Sequence, residues 1–169
     1  MTHLGICSAV ASISKGFQVT CFDPNQKTII NLKKGIIPIK EPYLEDALKK
    51  NNHLINFIEN AQDLKYCDLI YISPDILTNS RGISDLKEIN NLINIIVPYI
   101  NKMATVVILS QVPPGFTRKI KKKINNLYYQ VETLIFGEAY NRAMYPERYI
   151  IGCINKRDPL PDNLNYFLS

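Results

Sequence analysis

A doubly wound α/β fold built on a parallel sheet is the class this sequence predicts, and three observations carry it. The segments "CDLIYIS" (67–73) and "ATVVILS" (104–110) are near-continuous apolar runs of strand length, the kind buried on both faces of a parallel sheet. Between them Leu86, Ile89, Ile93, Ile96, Val97 and Ile100 trace one face of a helix. Upstream, a helical pattern feeds directly into "QVTCF", a β-branched and aromatic strand. Strand, helix, strand in this order implies right-handed crossovers.

The elements follow in chain order. Ile6, Val10, Ile13 and Phe17 have helical spacing, with Gly16 placed to stop the helix. A second helix follows Asp23 and Pro24 and stops at Gly35. The segment "GIIPIKEP" is expected to be extended, because each proline biases its predecessor away from helix. Helix returns in "YLEDALKKN", and a strand in "HLINFI". The central helix is expected to start at Ser84 and Asp85. In "RKIKKKINN" (118–126), Ile120 and Ile124 are expected on one helical face with the lysines solvated. The strand pattern fades after Gly152, so residues 1–152 are expected to form one domain, and 153–169 the start of a connection to a further, substrate-binding domain. A helix at the very start is an odd opening for this fold. The sheet is therefore expected to lack its first strand, leaving the strand at 18–22 as an edge and the isolated chain marginally stable.

Composition bounds the function classes. The chain has 169 residues, 46% hydrophobic and 21% charged, which is globular rather than disordered. No apolar run reaches the roughly 18 to 20 residues of a membrane span, and no secretory signal is evident, so a cytoplasmic protein without a membrane partner is expected. Cys7, Cys21, Cys67 and Cys153 lie far apart and are expected as buried reduced thiols, with no metal site. The net charge of +5 is spread over the chain apart from the 118–126 run, so no nucleic-acid partner is expected.

Ligands of an open parallel sheet bind beyond the carboxyl ends of its strands. A dinucleotide site there needs glycines against the pyrophosphate, a helix N-terminus aimed at it, and an acidic residue at the end of the second strand for the ribose hydroxyls. Asp23 has the place of that acid. Gly5 has the place of the last glycine, near the expected spacing of roughly 20 residues. The competing reading is that Asp23, beside Pro24, caps the second helix.

Four segments then point further: "KKGIIPIKEPYLEDALKK" (33–50), "CDLIYIS" with "GISDLKEI" (82–89), "SQVPPGFTRKI" (110–120) and "GEAYNRAMYPERYIIG" (137–152). In order and spacing they resemble the NAD-binding, Rossmann-like domain of the nucleotide-sugar dehydrogenases, the family of UDP-glucose 6-dehydrogenase and GDP-mannose 6-dehydrogenase. The resemblance implies NAD as cofactor, contacted at Gly5, Asp23, Ser73 and Ser110. It implies a nucleotide-sugar substrate, a UDP-sugar such as UDP-glucose, oxidised twice at C6 through a cysteine thioester. It implies that Glu132 handles the hydrolytic water and that Gln111 stands where the family has a water-orienting threonine. The family's catalytic cysteine and lysine lie in a later domain, so the chain alone is expected to be inactive. Homodimerisation is expected only of the full-length protein, whose products in this family feed surface polysaccharides. Departures from the pattern are Asp75, Ile76 and Leu77 in place of Gly-Thr-Pro, Gln111, and Ile135 with Phe136 before Gly137. They leave open a non-catalytic nucleotide- or partner-binding module of the same ancestry. A hydroxyacid or 6-phosphogluconate-type oxidoreductase is disfavoured, since "IPIKEP" and "PERYIIG" have no place in one.

Overall fold

Helix α1 (His3–Ser14) opens the computed structural model, which describes residues Met1–Ser169. It buries Ile6, Cys7, Val10 and Ile13 as its spacing requires. It stops at Gly16, whose φ of +91° suits a residue without Cβ. There the Phe17 N–H donates to the Ser12 carbonyl at 3.1 Å and the Gly16 N–H to that of Ile13 at 3.0 Å, the paired bonds of a Schellman stop. Strand β1 (Val19–Phe22) follows, then α2 (Gln26–Lys33). The cap of α2 is Asn25, whose side chain accepts from the Lys27 N–H at 3.1 Å. Asp23 sits two residues before it, its Oδ1 accepting from the Asn25 N–H at 2.8 Å.

After an extended loop, α3 (Leu44–Lys50) leads through a single 3₁₀ turn into β2 (Ile55–Ile58), which runs parallel to β1. Tyr43, the residue before α3, is left-handed at φ +65° and 67% exposed. A bulky side chain there carries strain of about 1 kcal/mol with little packing in return. Tyr43→Gly is therefore expected to raise stability by about 1 kcal/mol in a denaturant titration; a lower midpoint would mean that the exposed ring packs more than its surface suggests.

A further 3₁₀ stretch precedes β3 (Leu69–Ile72), followed by α4 (Lys87–Ile96), β4 (Thr105–Ile108), α5 (Phe116–Ile120) and β5 (Asn126–Gln130). The chain closes with α6 (Ala139–Met144), β6 (Ile151–Gly152) and α7 (Asp162–Leu168). Helix α4 starts after Asp85, whose Oδ1 accepts from the Lys87 N–H at 2.9 Å. All four residues of β4 are buried, as the apolar run foretold. In the 118–126 stretch the helix ends at Ile120, three lysines form a 3₁₀ turn, and Ile124 is extended. The expected single helical face is corrected here, although Ile120 and Ile124 are both buried and the lysines exposed. A tighter turn achieves the same burial while releasing the chain into β5.

The chain forms two units, Met1–Ala61 with Thr133–Glu147, and Gln62–Glu132 with Arg148–Ser169. The first holds the pair β1-β2; the second holds the sheet β3-β4-β5-β6, parallel except for the antiparallel β5–β6 contact. In the doubly wound order 3-2-1-4-5-6 the first strand bonds to both the second and the fourth. Here β1 is bonded only to β2 and β3 only to β4, so the parallel α/β architecture is resolved into two sheets rather than one.

The first unit's core joins Ile6, Val10 and Ile13 of α1 to Leu32, Leu44, Leu48 and Ala139. In the second, Leu164 of α7 is fully buried. The Asn163 amide donates to the Asp68 carbonyl at 2.7 Å and accepts from the Thr105 hydroxyl at 2.9 Å, which docks α7 at the start of β3 and β4. All four cysteines are free; Cys7 and Cys21 are buried, but Cys67 is half-buried and Cys153 exposed, so the expected burial fails at the last. No helix is long and apolar enough to cross a membrane.

Candidate functional site

In the second unit the carboxyl ends of β3, β4 and β5 gather four of the sequence candidates. Ser73 directly follows β3, Ser110 and Gln111 lie just beyond β4, and Glu132 lies just beyond β5. Because β3, β4 and β5 run parallel in one sheet, residues far apart in sequence emerge at the same end of it. The Gln111 Nε2 donates to Glu132 Oε2 at 3.0 Å. An amide that spends one N–H on a carboxylate still presents a carbonyl oxygen and a second N–H on the same plane. Beside it, the carboxylate can accept a proton from a water held between the two groups. Ser110 behaves differently. It is fully buried, and its hydroxyl donates to the Pro74 carbonyl at 2.6 Å, tying the end of β4 to the segment after β3. Its side chain is thus committed to backbone. In the loop after β3, Asp75 is exposed and Leu77 is 78% exposed.

The first unit holds Gly5 and Asp23. Gly5 is buried in the first turn of α1. The N-cap Thr2 makes no side-chain cap bond and the first turn carries no acidic residue. Its N–H groups therefore meet no side-chain carboxylate from their own turn, which suits an anion. Asp23 stands at the carboxyl end of β1 with its side chain 13% exposed, and its Oδ2 pairs with the Met1 ammonium.

One constellation was missed by sequence reasoning. Glu41, whose side chain is only 1% exposed, accepts three hydrogen bonds: from His3 Nε2 at 2.7 Å and Gly137 N–H at 2.9 Å on Oε1, and from Ala139 N–H at 3.2 Å on Oε2. Burial alone would raise its pKa, but the Gly137 N–H, the His3 ring and the Ala139 N–H together hold it below the ordinary carboxylate range. Gly137 takes φ +85° as the chain turns into α6, which brings its N–H onto the carboxylate. The His3 ring, held from one side by Glu41, stacks on Phe136 with centroids 4.4 Å apart and planes 29° apart. Glu41 lies in an unpatterned loop, so periodicity could not mark it. The one available signal was its place in the "IPIKEP" segment.

The model of the UDP-glucose/GDP-mannose dehydrogenase family, NAD binding domain, matches residues 1–160. The chain belongs to this family. Among similar proteins, a UDP-glucose 6-dehydrogenase of Rickettsia conorii is 32% identical over 164 residues, covering 91% of this chain and 38% of the relative. A UDP-N-acetyl-D-mannosamine dehydrogenase of Methanococcus maripaludis is 27% identical over 162 residues, covering 92% of this chain and 38% of the relative. Among solved structures, a UDP-glucose dehydrogenase from Pyrobaculum islandicum superposes with a TM-score of 0.80 at 25% identity, over 92% of this chain and 40% of that one. The chain thus spans well under half the length of the relatives it matches. As a UDP-glucose/GDP-mannose dehydrogenase family NAD-binding domain it takes NAD as cofactor. The chain's own residues fit that group: an α1 first turn without acidic side chains for the pyrophosphate, and an acid at the end of β1 for a ribose. Two of the segments that carried the family resemblance, "IPIKEP" and "GEAYNRAM", are the two that Glu41 joins.

Proposed function

We propose that this domain serves an NAD-dependent nucleotide-sugar 6-dehydrogenase that oxidises a UDP-sugar, such as UDP-glucose, to its uronic acid. The observation that carries the proposal is the Gln111–Glu132 hydrogen bond beyond the ends of β4 and β5. When bound, NAD supplies the hydride acceptor for each of the two oxidations at C6. Gly5 and the α1 first turn hold the pyrophosphate, and Asp23 accepts from the ribose hydroxyls. Ser73 and Ser110, at the carboxyl ends of β3 and β4, are further cofactor contacts, Ser110 through its backbone. Glu132 takes the proton from the water that hydrolyses the thioester, and Gln111 orients both. The intact enzyme is a cytoplasmic homodimer, and its product enters surface polysaccharide.

Asp23 makes cofactor choice the direct test, because its carboxylate repels a 2′-phosphate. Titration of the chain is expected to favour NAD+ over NADP+ by about tenfold or more, and Asp23→Ala to remove that preference. Equal affinities in the unaltered chain would strike Asp23 from the site. A second reading, a nucleotide- or partner-binding module without chemistry, is favoured by the exposed Asp75 and Leu77 where the family has Gly-Thr-Pro. A chain that binds neither dinucleotide would turn the argument to that reading.

A further inference from the structure

Residues 89–131 hold six of the chain's 20 lysines and arginines and none of its 15 aspartates and glutamates. The rest of the chain carries 14 basic and 15 acidic side chains, so the whole positive excess of +5 comes from this one stretch. The six are Lys102, Arg118, Lys119, Lys121, Lys122 and Lys123, and all are exposed. None of them forms an ion pair.

The fold of the second unit gathers these charges. β4 and β5 are parallel neighbours with Thr105 opposite Asn126, so residues 102–104 and 121–125, which lead into them, emerge side by side at the amino end of the sheet. The Asn126 amide donates to the Met103 carbonyl at 3.2 Å, and Lys123 Nζ donates to Asn94 Oδ1 of α4 at 2.8 Å. The lysine turn is thereby tied to the Met103 loop and to α4. Beside these anchors Met103 is 78% exposed, and Ile95 and Tyr99 are each 39% exposed. The acids at this end, Asp68 before β3 and Asp162 at the start of α7, lie where α7 docks on β3 and β4 rather than beside β5.

Unpaired like charges held this close repel one another, and a negative surface relieves the repulsion. We propose that this face of the second unit docks on an anionic lipid surface, its lysines among the headgroups and Met103 entering the boundary with the acyl chains. Five of the six cations are lysines, compact charges on flexible stems that suit a diffuse field better than a single phosphate. A nucleic-acid strand would call for aromatic rings among the cations, and the run 118–126 has none. Contact of this kind needs no helix that crosses a membrane. Gln111 and Glu132 lie at the opposite ends of β4 and β5, so a lipid surface here leaves them open.

Co-sedimentation of the chain with vesicles tests the docking. Phosphatidylcholine vesicles containing about one quarter phosphatidylserine are expected to bind the chain at about 0.1 M salt and to release it at about 0.5 M, whereas pure phosphatidylcholine vesicles do not bind it. Replacing Lys119, Lys121 and Lys122 together by glutamine is expected to weaken binding about a hundredfold. The same replacement of Lys27, Lys34 and Lys50, exposed lysines of the first unit, is expected to leave it within about twofold. Met103→Ser is expected to weaken it about fivefold at unchanged charge. Thermal melts check that each variant is folded. No binding to the anionic vesicles, equal binding to pure phosphatidylcholine, or equal losses in the two triple variants overturns the proposal. Tighter binding to poly(U) RNA than to the anionic vesicles, with no effect of Met103→Ser, overturns it in favour of a nucleic-acid strand on the same lysines.

Discussion

Glu41→Ala is expected to destabilise the protein by about 3 kcal/mol, because it removes the acceptor of three hydrogen bonds at once. The Gly137 and Ala139 N–H groups would be left facing the methyl group of alanine in a site the side chain of Glu41 now fills almost without exposure. For a chain of this size the loss is expected to lower the melting temperature by roughly 10 °C. Glu41→Gln separates charge from shape: it keeps one acceptor oxygen, and about half of the loss is expected. The pH dependence has a definite sign. The folded-state pKa of Glu41 is lowered, so its contribution is complete above the ordinary carboxylate value near 4.5 and is lost as pH falls through the lower folded value. The difference in stability between the unaltered chain and Glu41→Gln is expected to be constant near neutrality and to shrink in acid. A difference that stays constant into strong acid would mean that the carboxyl titrates over the same pH range in the folded and the unfolded chain.

Glu132→Gln, made in a complete dehydrogenase that contains this domain, is expected to lower turnover by about a hundredfold to a thousandfold. The loss should fall on hydrolysis. One oxidation sequence proceeds, thioester accumulates, and the reaction stalls after a burst of reduced cofactor. The amide keeps the size of the side chain, so a folding defect is not expected, while its neutral oxygen cannot take a proton from water. Gln111→Ala is expected to be milder, since it removes only the 3.0 Å hydrogen bond to Glu132 and leaves the carboxylate in place. Turnover unchanged in Glu132→Gln would remove the residue from the mechanism and reduce the Gln111 contact to a surface hydrogen bond.

Much of this arrangement is legible in the sequence. The helix over His3–Ser14 and the strands ending at Ile72 and Ile108 follow from spacing and apolar runs, because burial on one face or both leaves a periodic mark. Asp23 is singled out by its place at a strand end, where parallel sheets bind ligands, whereas Glu132 is singled out only by the family resemblance. The two-residue strand β6 carries no such mark, and neither does the early end of α5 at Ile120, where hydrophobic spacing alone suggests a longer helix.

The sequence by itself determined the fold class, the order of elements and the family, since these rest on local periodicity and on short segments kept in order. Only the tertiary structure decided who meets whom. It joined Gln111 to Glu132, and it brought Glu41 onto the backbone of Gly137, a residue 96 positions away. It also turned Ser110 inward onto Pro74, and it set Phe136 against His3 as an open ring. Periodicity records which face of an element is buried. A polar partner across the fold leaves no periodic trace, because one buried carboxylate needs only donors at the right distance, and those donors can be backbone N–H groups that any residue supplies.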